Sequence, residues 1–213
     1  MEDVVPYRLC KRIADKAVAV LLLVLLSPVL LFAVIVLGLD MLLERADRGG
    51  WLYRERRISQ GRRFDLLKFR VLREDALAHL RGNTGAYSRL YEREEDNLTR
   101  AGRILKRMYL DELPQLFNVL RGDISLVGPR PWPISMVEKQ IDQGFDYRNR
   151  IVAGWTGPAQ VRKDSPKRSQ ATAYDLQYVE ACRTLSAPRL LRYDASLLAP
   201  AVATMLRGKG LKY

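Results

Sequence analysis

Apolar and polar positions are distributed very unevenly along this chain. From Ala17 to Leu39 the run AVAVLLLVLLSPVLLFAVIVLGL carries 23 residues and no charge. At helical rise that is roughly 35 Å, against a bilayer core of about 30 Å, so the pattern predicts a membrane helix. Ser27-Pro28 falls in its middle, where proline removes a backbone donor and disfavours helical geometry in the residue before it, so a kink or break is predicted there. Each half of the run, about 10 to 12 residues, is too short to cross alone. Between Arg54 and Arg70, Phe64, Leu66, Leu67 and Phe69 interleave with charge, which predicts a short strand or amphipathic segment. From Arg73 to Arg107 the pattern is helical and charged, and Glu92, Glu94, Glu95 and Asp96 balance the arginines on a face expected to be solvated. Leu113, Leu116, Phe117 and Leu120 recur at i, i+3, i+4 and i+7, the signature of one buried helical face, with Gly122 as its stop. Pro114 is tolerated only in a first turn, so that helix is predicted to begin close to Asp111. The stretch from Arg189 to Leu206, followed by Arg207, Lys209 and Lys212, suits either a helix in the membrane interface or a core helix with a basic tail.

Composition narrows the classes. The chain has 213 residues, 48% of them hydrophobic, and 36 Lys plus Arg against 24 Asp plus Glu, a formal net charge of +12. This is enough apolar material for a sizeable core, which argues against a disordered tail protein, and 14 Gly with 10 Pro exclude collagen-like chains. Cys10 and Cys182 are too few for a disulfide framework, and His79, the single histidine, excludes a histidine-cluster metal site. Any metal ligands are therefore oxygens. The positive charge implies an anionic partner: nucleic acid, an anionic membrane face or a phosphorylated substrate. Arg8, Lys11, Arg12 and Lys16 precede the apolar run, and Arg45, Arg48, Arg54, Arg56 and Arg57 follow it, so both ends read as cytoplasmic. A helix that turns back at Ser27-Pro28 satisfies both flanks, and a single-pass anchor with a tolerated proline stands beside it as an equal alternative. A cleaved signal peptide is argued against by the length of the run and its charged end at Asp40 to Arg45. The expected organisation is a membrane segment over residues 1–43 and a catalytic domain over 44–213.

Candidate chemistry concentrates between Tyr109 and Pro133. Asp111 and Glu112 lie at a predicted helix start, where free backbone N–H groups favour carboxylates and also bind phosphate. For an arbitrary Asp-Glu pair, a simple N-cap with a dipole-stabilising glutamate is the more ordinary explanation. The surroundings differ from those of an ordinary cap: Asp123 and the rigid turn Gly128-Pro129-Arg130-Pro131 follow, and Arg103, Lys106 and Arg107 precede. Carboxylates ringed by cations are suited to phosphate chemistry, with Mg2+ able to bridge a carboxylate and a diphosphate.

These residues, taken together, resemble the monotopic phosphoglycosyl transferases, bacterial sugar transferases that begin glycan assembly on a polyprenol phosphate carrier. The resemblance covers nearly the whole chain. It rests on Lys11-Arg12-Ile13-Ala14-Asp15, Ser27-Pro28, Lys68-Phe69-Arg70, the block from Leu110 to Leu120 with Gly122-Asp123, Val127-Gly128-Pro129-Arg130-Pro131, and Gly154, Thr156-Gly157 and Ala159-Gln160-Val161. It implies a re-entrant helix-break-helix in the cytoplasmic leaflet of the bacterial inner membrane, with Ser27 and Pro28 at the break. It implies Asp111 as the nucleophile toward a nucleotide diphosphate sugar, usually a UDP-sugar, with release of UMP and transfer of the phosphosugar to polyprenol phosphate. Glu112 would share Mg2+ with Asp111 or handle a proton. Arg130 would contact phosphate or nucleotide, and Lys68, Arg70, Lys106, Asp123 and Gln160 would take supporting positions. The chain resembles the minimal catalytic form, without the multi-pass region of larger relatives. Val152-Ala153 and Arg162-Lys163-Asp164 depart from the family pattern, which leaves the nucleotide or sugar contacts of that loop open.

The expected fold is mainly α with a few short β strands (α+β), a re-entrant membrane helix pair joined to a compact catalytic domain with interfacial amphipathic helices. Expected partners are the nucleotide sugar, polyprenol phosphate and anionic lipids, not nucleic acid, and a homodimer stays open. The competing reading is a non-catalytic membrane-anchored basic protein that holds anionic lipid or nucleic acid. A mechanistic variant lets the carrier attack the donor directly while Asp111 only holds Mg2+.

Overall fold

A computed structural model describes residues 4–83, 85–161 and 168–206. The apolar run folds as two helices, α1 (Leu9–Leu25) and α2 (Ser27–Leu43), bent by 61° at Leu26. Leu26 leaves helical geometry, Pro28 lies in the first turn of α2, and the Ser27 hydroxyl donates to the Val24 carbonyl at 2.8 Å. The break therefore comes one residue before Ser27-Pro28, as expected when proline restricts the chain ahead of it. Among the described residues no single helix is long and apolar enough to cross a membrane. Around the bend Val20, Leu21, Val24, Leu25, Leu31, Phe32 and Ile35 are exposed.

The two outer ends of this pair are built into the folded body. In α1, Lys11, Asp15 and Ala19 recur every fourth residue and form its buried stripe, packed mainly on α6 (Gln115–Arg121). Lys11 Nζ is 2.6 Å from Asp194 and 3.5 Å from Asp15, whose carboxylate also accepts from the Tyr7 and Ser125 hydroxyls at 2.8 and 2.6 Å. At the far end of α2, buried Asp40 accepts from the backbone N–H of Ala101, in the first turn of α5 (Arg100–Arg107), at 3.1 Å. An acidic group is favoured there by the free N–H groups and the helix dipole.

The segment rich in arginine and phenylalanine is an antiparallel hairpin, β1 (Leu52–Ser59) and β2 (Arg62–Phe69), closed at Gln60-Gly61 with both residues at positive φ. Such turns match the twist of the strands they join. The expected helix from Arg73 to Arg107 is instead α3 (Glu74–Gly82), α4 (Ser88–Tyr91), a 3-10 turn and α5. Its acidic face is not all solvated, because Glu92 is buried.

α6 runs through the core beneath β2. It begins at Gln115 after Pro114 and ends at Gly122, φ 87°, whose N–H bonds the Asn118 and Val119 carbonyls. The predicted buried face is shifted: Leu113, Leu116 and Val119 are buried, whereas Phe117 is 46% exposed. The backbone bonds from Leu116 N–H to Leu113 and from Phe117 N–H to Pro114 span three residues rather than four, so the start of the helix is wound tighter than 3.6 residues per turn and Leu113, Leu116 and Val119 line up while Phe117 turns outward. Asn118 ties the helix to β2 by accepting from Leu67 N–H at 3.0 Å and donating to the Asp65 carbonyl at 2.8 Å.

A second pair of strands, β3 (Ser125–Val127) and β4 (Gly154–Thr156), is parallel and connected through α7 (Ile134–Asp142). Gly154 permits their close approach, since a Cβ there would stand 2.1 Å from the Gly128 nitrogen. After α8 (Pro158–Val161), helices α9 (Arg168–Thr184) and α10 (Ala187–Leu206) close the body. The described part of α10 is a core helix. Leu190, Asp194, Leu197 and Ala201 are turned inward, and Arg189, Arg192, Ala195, Ser196, Ala199 and Pro200 face out, so one side of the helix packs on the protein and the other is a mixed basic and small-residue face. Arg207, Lys209 and Lys212 lie outside the described residues, as do Arg162, Lys163 and Asp164.

Candidate active site

Asp111 and Glu112 sit in the 3-10 turn between α5 and α6. Tyr109 just before them has φ 58° and ψ 24°, a left-handed conformation that bulky residues rarely adopt and that is often found beside reactive groups. Asp111 is 5% exposed. Among the described residues its carboxylate makes no hydrogen bond or ion pair. Burial first, and then the charge of Glu112, push its pKa up to about 7, with Glu92 adding to the rise while Lys68 and Lys106 oppose it. A buried acid without a partner is costly to the fold and attracts any cation that reaches it.

Glu112 is different. Its Oε1 is in a short ion pair with Arg130 Nη2, and Arg130 Nη1 donates to the Trp155 carbonyl at 2.6 Å. The Arg130 backbone is held as well, because its carbonyl accepts from Arg148 Nη1. Buried Arg148 in turn pairs with Asp175 at 2.6 Å, donates to Gln140 at 2.9 Å and stacks 3.9 Å from the Trp132 ring centre. The guanidinium of Arg130 is thereby fixed beside the carboxylate pair.

On the other side of Asp111 lies a buried belt of alternating charge. Lys106 Nζ donates to the Glu92 carbonyl at 2.6 Å and to its Oε2 at 3.0 Å. Lys68 Nζ is 3.6 Å from Glu92 Oε1, 3.9 Å from Glu55 Oε2 and 3.4 Å from Ser88 Oγ. Glu55 is held by Arg57 at 2.5 Å, and Arg57 reaches the Pro131 carbonyl at 3.4 Å. Although burial works against its charge, Glu92 titrates low, at about 2, because Lys68 and Lys106 outweigh that effect. Among the described residues there is no cluster of three or more metal-binding side chains. Two adjacent carboxylates nevertheless suit Mg2+, which keeps several waters and takes its remaining ligands from phosphates. Asp111 has both oxygens available and Glu112 has one.

Residues 6–207 match the family described as bacterial sugar transferase. The chain belongs to that family. It is 37% identical over 183 residues to a UDP-glucose:undecaprenyl-phosphate glucose-1-phosphate transferase of Caulobacter vibrioides, covering 80% of this chain and 62% of the relative. It is 34% identical to the exopolysaccharide production protein ExoY of Sinorhizobium fredii, covering 80% and 76%. A UDP-N-acetylgalactosamine-undecaprenyl-phosphate N-acetylgalactosaminephosphotransferase of Aeromonas hydrophila is 33% identical, covering 73% of this chain and 34% of the relative.

In this member of the family the structure brings together Asp111, Glu112, Lys68, Lys106 and Arg130 of the residues singled out from sequence. Gln160 joins them through the Gly157 turn: its Oε1 accepts from Gly157 N–H at 2.5 Å, and a Cβ on Gly157 would lie 3.6 Å from the Arg130 nitrogen. Among the described residues, Gln160 Nε2 is buried with no partner. Two expected residues are placed in other work. Arg70 donates to the carbonyls of Gly50, at 2.9 Å, Asp47 and Leu72, so its guanidinium ties together the loop ahead of β1. Asp123 accepts from Asn118 at 2.9 Å and secures the end of α6. Arg103 and Arg107 are exposed. Sequence reasoning missed Glu92, because one acid in a charged stretch has no spacing that separates it from a solvated one. It also missed Arg148, whose role arises only when α7, α9 and the Arg130 turn converge.

Proposed function

We propose that this sugar transferase moves a sugar-1-phosphate from a UDP-sugar to polyprenol phosphate at the cytoplasmic face of the bacterial inner membrane, using Asp111 as a covalent nucleophile. The observation that carries this reading is a buried, unpaired aspartate between two lysines and a fixed arginine. In the first step an Asp111 oxygen attacks the phosphorus bonded to the sugar, an O–P bond forms, the bond between the two phosphates breaks and UMP leaves with that electron pair. In the second, an oxygen of polyprenol phosphate attacks the same phosphorus, and the Asp111–phosphorus bond breaks to regenerate the carboxylate. Each step is a displacement between anions, so positioned cations supply most of the stabilisation. Arg130 presents a planar fork to phosphate oxygens, and Lys68 and Lys106 add point charges. Asp111 and the open oxygen of Glu112 would hold Mg2+, which supplies charge neutralisation at the diphosphate.

A re-entrant position for α1 and α2 fits this chemistry. Both outer ends of the pair are rooted in one body, through Lys11–Asp194 and Asp40–Ala101, while the bend at Leu26 is surrounded by exposed apolar side chains. A single-pass anchor would put those two ends on opposite sides of the bilayer. Basic residues on both flanks then meet anionic headgroups, worth about 1 kcal/mol each. The test is UMP release from a panel of UDP-sugars with Mg2+ and polyprenol phosphate, comparing wild type with Asp111→Asn. Release that requires Asp111 is expected, together with labelled phosphosugar trapped on the protein when the carrier is left out. Normal turnover by the variant would reject the nucleophile, and release only in the presence of carrier, with no label trapped, would favour direct attack by the carrier.

A further inference from the structure

Glu92 is the acid that both site lysines share. Lys106 bonds its carboxylate and its carbonyl, Lys68 stands 3.6 Å from its other oxygen, and Glu92 itself is 8% exposed. Glu55, the remaining acid near Lys68, is already engaged by Arg57 at 2.5 Å and by Ser88 through its N–H at 2.9 Å and its hydroxyl at 3.1 Å. Asp111 lies in the field of the same lysines and pairs with neither. Two ammonium groups are thus held beside the nucleophile by a third residue, which keeps the nucleophile free of a counter-ion.

We propose that Glu92 is a positioning residue that acts through Lys68 and Lys106: it holds both ammonium groups toward the substrate space and yields them to the diphosphate of the donor. This rests on the phosphate-transfer reading above. Its consequence runs against ordinary intuition about a buried acid. Glu92 weakens the grip on phosphate, since its negative charge competes with the ligand for the same two cations. Loss of that charge leaves the lysines to the ligand, so phosphate binds more tightly while turnover falls, because the lysines lose their placement and the nucleotide product leaves more slowly. A residue that served only to hold the fold would lower affinity when changed.

The experiment uses the full chain in nanodiscs and measures UDP binding by calorimetry in EDTA, where the cations of the protein act without metal, alongside UMP release with Mg2+. Glu92→Gln is expected to bind UDP about three- to tenfold more tightly than wild type and to turn over at least about tenfold more slowly. Glu92→Asp, which keeps the charge, is expected to stay within about twofold in affinity. Removing the acid and one lysine together leaves the net charge of the belt unchanged, so Glu92→Gln/Lys106→Met keeps the test open even where Glu92→Gln alone does not fold. That double variant is expected to bind UDP more tightly than Lys106→Met, because Lys68 is released. Equal or weaker UDP binding on loss of the Glu92 charge overturns the proposal, as does an absence of UDP binding in every variant. Tighter binding with no UMP release from wild type for any donor would instead remove the transferase reading and leave the hold of Glu92 on the lysines standing.

Discussion

Asp111 should be a burden on the fold that supplies its reactivity, and replacing it should stabilise the protein. Its carboxyl is buried and unpaired, and its pKa rises from an ordinary 3.8 to about 7. A raised acid pKa means that the folded state holds a proton the unfolded chain has already lost, so stability falls as pH rises from about 4 to about 7 and levels off above that. At 1.36 kcal/mol per unit the penalty at pH 8.5 has a ceiling of about 4 kcal/mol. Relaxation and water entry take back roughly half, leaving about 2 kcal/mol, or some 4–8 °C in Tm for a chain of this size. Asp111→Asn has nearly the same shape and no charge. In nanodiscs with EDTA at pH 8.5 it is expected to melt some 4–8 °C above wild type while losing UMP release. The gap should shrink toward pH 4 and vanish below about pH 3, where Asp111 is neutral in the unfolded chain as well as in the folded one. It should also narrow with saturating Mg2+, which binds the charged form of wild type alone. A variant that melts at or below wild type at pH 8.5 would refute the argument that an uncompensated buried charge sits at this position.

Two further substitutions test the frame around the site. Gly154→Ala drives a methyl group to within 2.1 Å of the Gly128 nitrogen, backbone that has nowhere to move, so a loss of more than about 3 kcal/mol and failure to accumulate folded protein are expected; a thermal melt within 2 °C of wild type would show that the β3–β4 approach is looser than described. Lys11→Met leaves Asp15 and Asp194 buried together without their shared cation, and breaking such a pair costs about 3–5 kcal/mol. Proteolysis should then cut at the root of α1 ahead of global unfolding, and unchanged protection would reject the idea that this cluster secures the membrane pair.

Much of the chemistry was legible in the sequence because it is carried by local pattern. An uncharged run of bilayer length, a proline in its middle, a carboxylate pair next to Pro114 and a glycine stop at Gly122 each act within a few residues of chain, where propensity and backbone sterics decide. Asp111, Glu112, Lys68, Lys106 and Arg130, grouped by resemblance, lie near one another in the fold. Other features depended on the convergence of distant segments. Tight three-residue bonds around Pro114, from Leu116 to Leu113 and from Phe117 to Pro114, turned Phe117 out of the buried stripe, an offset that a periodic pattern does not carry. Arg70 and Asp123 have the residue types of a phosphate site, yet backbone carbonyls and Asn118 claimed them, because a buried polar group takes whatever partner the fold presents. Glu92, Arg148 and the Lys11–Asp15–Asp194 cluster come from α1, β2, α4, α5, α9 and α10 and their connections, so no window of sequence contains them. Composition and local sterics determined which elements form and which chemistry is available. The tertiary structure alone decided which charges lose their water together, and that desolvation without a partner is what separates Asp111 from the paired acids around it.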